Sequence, residues 1–211
     1  FAEPCTSLHY DHTYFFQACR NNMATHNTYA DAANTAVRAF LTSVGEHYLN
    51  ERFDTGNGTG KRRWDVIKEK FGNKCAYCNT GGKLQIEHLV MFNRAEYGLH
   101  HPGNVVPCCS ECNKRERKVV EDKESGKKKK AYVSWKEQLR IICKNDSDAF
   151  REREAKITKS IRDNRYPELT KNEQNSIRVM AEFLYERIKQ TGDNATKLYS
   201  ELDKSFVKNK D

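Results

Sequence analysis

Cys75-Ala76-Tyr77-Cys78, Leu84-Gln85-Ile86-Glu87-His88-Leu89-Val90, Gly103-Asn104-Val105-Val106-Pro107 and Cys108-Cys109-Ser110-Glu111-Cys112-Asn113 together form the stretch on which the fold turns. Two cysteines with two residues between them can place both sulfurs on one side of a tight turn, about 2.3 Å from a shared Zn²⁺. Two such pairs complete a tetrahedron. Cys75, Cys78, Cys109 and Cys112 are therefore expected to bind a structural zinc. The adjacent Cys108 is a rival for the third position; the repeated spacing favours Cys109 and leaves Cys108 buried.

Between the cysteine pairs, 84–90 alternates like a strand, with Leu84, Ile86 and His88 on one side. Residues 104–108 read as a second short strand behind the turn residues His101-Pro102-Gly103. From Ser110, a good N-cap, the pattern turns helical. The expected order is strand, loop, strand, helix.

A loop that merely joined two zinc knuckles would tolerate most residues, yet this one carries Glu87-His88, Asn104 and then Asn113. In these positions, over residues 74–118, the sequence resembles the HNH (ββα-metal) nuclease family in its cysteine-flanked branch. The resemblance implies a metal-dependent endonuclease that hydrolyses phosphodiesters of DNA, leaving 5′-phosphate and 3′-hydroxyl ends. It implies His88 as general base, Asn104 in a supporting catalytic role, and Glu87 and Asn113 as ligands of Mg²⁺ or Mn²⁺. The chemistry fits the residue types: neutral imidazole accepts a proton near physiological pH, and carboxylate and amide oxygens suit hard cations. Two features depart from the commoner pattern, Glu in place of Asp before the histidine and Asn113 where many members have a second histidine. The alternatives are an RNA-cleaving nuclease with the same site, or a zinc-stabilised nucleic-acid-binding module without catalysis.

Outward from this stretch the chain is basic and polar. Its formal charge is +8, its sequence pI is near 9.0 and its mean hydropathy is −0.91. Excess Lys and Arg favour a polyanionic partner, because they displace counterions condensed on phosphates. Lys114, Arg115 and Arg117, on the expected helix, are the phosphate-contact candidates, with His100 and His101 in the loop as further ones. DNA is the favoured partner; a homodimer or a partner protein of a bacterial restriction or antiphage defence system is the expectation for the flanks.

The flanks read as helical: about 12–50, then a glycine-rich turn or linker at 54–60, then a short helix 61–71 ending at Gly72. Beyond the cysteines, 123–130 is a charged tract, either a solvated loop or a phosphate-contacting arm. Residues 135–143, 147–164, 170–190 and 195–207 follow as separate helices. The fold class expected is α+β, a small zinc-stapled ββα-metal core within helical segments. Residues 1–60 form the N-terminal segment, 61–143 the nuclease domain and 144–211 the C-terminal segment. No apolar run is long enough to span a membrane. The first twenty residues hold no signal-like stretch, and paired cysteines read as metal ligands, so a reducing, cytoplasmic compartment is expected.

Overall fold

The structure is a computed structural model and describes residues 28–121, 126–144 and 146–208. The part of the expected first helix before residue 28 lies outside them. Helix α1 (Tyr29–Leu49) begins at Thr28, whose hydroxyl accepts the Asp31 amide, and ends at Asn50 in the left-handed region. Helix α2 (Gly58–Lys70) starts three residues earlier than its apolar pattern suggests. The reason is local: the Asp54 carboxylate accepts the Gly56 amide at 2.9 Å and the Asn57 side chain, and the Asp54 carbonyl accepts the Asn57 amide. That closed turn presents Asn57 as the N-cap, so the glycine-rich run feeds the helix rather than only linking to it.

Strands β1 (Gln85–His88) and β2 (Val105–Cys108) pair antiparallel, with His88 opposite Val105 and Gln85 opposite Cys108. The helix expected from Ser110 does not form. Each cysteine pair instead closes the same knuckle: the Asn79 amide donates to the Cys75 carbonyl at 2.9 Å, and the Asn113 amide to the Cys109 carbonyl at 3.0 Å. The chain then enters strand β3 (Arg117–Glu121), which pairs antiparallel with β4 (Lys128–Tyr132). Val119 and Val120 favour an extended backbone, and 114–121 offers no apolar stripe of helical period. Part of the charged tract 123–130 is thus strand; 122–125 lie outside the described residues.

Helix α3 (Trp135–Cys143) opens with a complete capping box between Ser134 and Glu137, and α4 (Ser147–Asp163) is capped by Asp146. Helix α5 (Lys171–Lys208) is one continuous helix, where the sequence pattern predicts separate helices at 170–190 and 195–207. Gly192 explains the continuity. A Cβ there would lie 2.3 Å from the Tyr29 ring, so glycine admits α1 rather than ending α5. The Tyr29 hydroxyl also meets that of Thr196 at 2.6 Å.

Two apolar cores result. Phe53, Trp64, Ile67, Phe71, Tyr77, Val105, Val106, Leu139 and Ile157 join α2, the β1–β2 hairpin, α3 and α4. Ala33, Val37 and Leu41 of α1 meet Ile177, Ala181 and Tyr185 of α5 in the second, and Leu99 of the hairpin loop is buried there too. The N- and C-terminal helical segments therefore pack on each other and grip the loop between β1 and β2. Mixed helices with small antiparallel sheets make the fold α+β.

Candidate functional site

The four expected thiolate ligands come together. The Sγ atoms of Cys75, Cys78, Cys109 and Cys112 all lie within 4.8 Å of one another. A tetrahedral zinc with 2.3 Å bonds needs sulfurs about 3.8 Å apart, and Cys78 and Cys109 stand at 3.7 Å. These residues fit a structural zinc. Cys108 is fully buried, with its Sγ 3.9 Å from that of Cys75. It lies beside the cluster, outside the four-sulfur group. Hydrogen bonding with Cys108, and then with Cys112, holds the Cys75 thiol well below its usual range, which favours the ligating thiolate.

At the other end of the hairpin Asn104 occupies a fully buried position. Its Nδ2 donates to the carbonyls of Leu99 at 2.8 Å and Val90 at 2.9 Å, and its Oδ1 accepts the Val90 amide at 2.8 Å. One amide thus ties both arms of the loop that leaves β1 and returns to β2. Helix α5 holds the loop from outside: Arg94 pairs with Glu182 at 3.0 Å and lies 3.4 Å over the Tyr185 ring, and Tyr97 donates to Glu182 at 2.5 Å.

The half-buried His88 stands at this end. Its Nε2 is 3.0 Å from His100 Nδ1, its ring stacks on Phe92 at 4.7 Å, and His100 in turn packs on Phe53. Burial, reinforced by His100, Arg38 and Arg115, pushes its pKa down to about 3, so the imidazole is neutral at physiological pH. Arg38, an exposed residue of α1, therefore acts on His88 from a segment nearly fifty residues away. No motif marks it in the sequence; only the packing of α1 beside the loop reveals it.

Adjacent strand residues point to opposite faces, and Glu87 points into the core. Arg115 meets it there. The guanidinium donates to Glu87 Oε1 from Nε at 3.1 Å and again from Nη2, to the His88 carbonyl at 2.8 Å and to the Leu89 carbonyl at 3.1 Å. Burial raises the Glu87 pKa while Arg115 opposes the rise. Asn113 donates instead to Gln85 Oε1 at 2.9 Å. The side chains of Glu87, His88 and Asn113 thus have three separate partners, Arg115, His100 and Gln85. As arranged, Glu87 and Asn113 do not form a ready donor pair for Mg²⁺ or Mn²⁺.

The expected phosphate contacts are redistributed. Arg115 is a buried structural cation, its side chain only 1% exposed, and cannot meet a phosphate from that position. Lys114 is exposed and pairs with Glu111. Arg117 lies on β3, not on a helix, with its guanidinium 4.5 Å over the Tyr132 ring. His101 is fully buried, with Nδ1 accepting the Gly103 amide at 3.0 Å, because the turn into β2 requires that acceptor. His100 alone of the two loop histidines stays at the site, as the partner of His88.

No helix among the described residues is long and apolar enough to cross a membrane. Comparisons with protein-family models, with curated proteins and with solved structures return no match.

Proposed function

We propose that this chain is an HNH-type endonuclease that hydrolyses phosphodiester bonds of DNA, with His88 as the group that accepts a proton from the attacking water. The observation that carries the reading is the buried Asn104 clamp, which fixes the loop around a neutral imidazole on a hairpin flanked by a four-cysteine cluster that could hold a metal. A hairpin needing only stability would bury an apolar residue at 104. A three-bond amide costs more to desolvate and gives one defined loop geometry instead.

This chain's own residues supply proton acceptance at His88, orientation of His88 through His100 and Phe92, and positive potential from Arg38 and Arg115 beside the place where phosphate charge would sit. The cation that HNH nucleases use would supply charge neutralisation on the phosphate. Glu87 would have to leave Arg115 to serve it. A role in bacterial restriction or antiphage defence, and a dimer that cuts both strands, belong to the same proposal.

Supercoiled plasmid incubated with Mg²⁺ or Mn²⁺, and with chelator, tests the reading. Nicking is expected with the metal, and His88→Ala should abolish it while zinc content and thermal transition stay unchanged. An undiminished rate in that variant would eliminate the mechanism. The buried Glu87–Arg115 pair favours one second reading, a zinc-stabilised DNA-binding module that binds but never cuts. Wild-type protein that binds duplex and leaves the plasmid intact under every metal would establish it.

A further inference from the structure

Residues 117–132 contain seven basic and three acidic side chains, a net +4, which is half of the chain's +8. The two strands themselves, 117–121 and 128–132, carry five of the basic and one of the acidic residues, again a net +4, and form a two-stranded ribbon separate from the β1–β2 hairpin. Such a ribbon is marginal by itself in water, so its base must be anchored. The anchor is visible: the Val133 amide donates to the Glu116 carbonyl at 3.0 Å, the Glu116 amide to Gln138 Oε1 at 3.0 Å, and Val133 is buried. Arg117 and Tyr132 form the first cross-strand pair, and the Glu121–Lys128 pair lies about 13 Å further along at the spacing of extended chain.

Arg117, Lys118 and Val119 are exposed in succession, so both faces of the ribbon meet solvent. Its register also keeps cations apart. Lys128 stands opposite Glu121, Lys130 opposite Val119, Lys118 opposite Ala131 and Arg117 opposite Tyr132. No described cross-strand pair sets cation against cation, which lets a narrow element hold its charge without splitting. One face carries Arg117, Val119, Glu121, Lys128, Lys130 and Tyr132, three cations and one carboxylate interleaved with an apolar and an aromatic side chain.

We propose that the β3–β4 ribbon is a binding arm that contacts the phosphate backbone of duplex DNA. The inference rests on the reading of this chain as an enzyme or binder of nucleic acid, and it replaces the expected basic helix with a different element. The major groove of duplex DNA admits a two-stranded ribbon, and lysines on its outward face reach the flanking phosphates. Contacts of this kind carry no base readout, so affinity should depend steeply on salt and little on sequence.

The test is fluorescence anisotropy with a labelled duplex in the absence of Mg²⁺, across a salt series. The zinc-loaded full chain is compared with Lys128→Gln/Lys130→Gln. Loss of two phosphate contacts should flatten the log–log slope by about 1.8 and weaken binding about 30-fold near 0.15 M salt. Lys128→Arg/Lys130→Arg should retain the wild-type slope, and Lys197→Gln/Lys204→Gln, an equal charge change on α5, should leave it near the wild-type value. Unchanged slope and affinity in the ribbon variant overturn the proposal. So does an equal loss in the α5 variant, which would make the effect one of net charge. Weakening for an RNA duplex alone overturns the assignment to DNA. Because no cleavage is measured, failure here is separate from failure of His88→Ala to abolish nicking.

Discussion

Arg115 reaches back twenty-eight residues to hold the Glu87 carboxylate inside the core, with both side chains at most 7% exposed. Removing one partner of such a pair leaves an uncompensated buried charge, which costs about 3–5 kcal/mol. Arg115→Met is therefore expected to lower the unfolding free energy by about that amount in urea titrations. Glu87→Leu/Arg115→Met removes both charges and should recover most of the loss. A single variant as stable as wild type would show that the pair contributes no structural constraint.

Zinc occupancy should follow the four-sulfur group and not Cys108. Cys75→Ser and Cys109→Ser are expected to lose the metal and the cooperative thermal transition of the hairpin. Cys108→Ser should keep one zinc per chain. Metal analysis on gel-filtered protein checks this, and retained stoichiometry in Cys109→Ser would move the ligand to Cys108.

Asn104→Ala should be costly for a reason unrelated to volume. It leaves the Val90 carbonyl, the Leu99 carbonyl and the Val90 amide without their partner. At roughly 1–3 kcal/mol for each unsatisfied buried group, a loss of about 3 kcal/mol or more is expected. Hydrogen exchange should show the Val90 amide losing protection before the β1–β2 ladder does.

Gly45 brings α1 against the loop. A Cβ there would lie 2.3 Å from the His100 carbonyl oxygen, backbone against backbone. Gly45→Ala must push the loop away and with it the partner of His88. If the nuclease reading holds, nicking should fall at least tenfold while zinc stays bound; a wild-type rate would show that the contact does not position His100.

Acid should destabilise the fold through its histidines. His88 is pushed down to about 3 and His101 to about 4, in both cases chiefly by burial, and His100 is lowered by the same cause. Between these values and the unfolded value near 6.5, the unfolded chain binds more protons than the folded one. Stability from these groups is thus complete above about pH 6.5 and declines as pH falls toward 4. Urea midpoints measured from pH 7 to 4.5 should drop, and His101→Asn should flatten the drop; a midpoint independent of pH would refute the burial.

Much of the site was legible because its signals are local. Two C-x-x-C pairs predict a shared metal from spacing alone, and the structure brings those four sulfurs within 4.8 Å. Strand alternation at 84–90 and the turn at His101-Pro102-Gly103 likewise predict the hairpin. The helix that Ser110 predicts does not form, because an N-cap residue and scattered charges are outweighed by a knuckle that claims the Cys109 carbonyl.

What the sequence by itself determined was the thiolate cluster, the two short strands, the helical flanks and the basic excess, since each depends on spacing or composition within a few residues. The tertiary structure alone decided that Glu87 faces Arg115, that His88 meets His100 and feels the charge of Arg38, and that α1 and α5 close on the loop. Those pairings join residues far apart in the chain, and which distant groups meet is set by burial of apolar faces, a property of the packed whole.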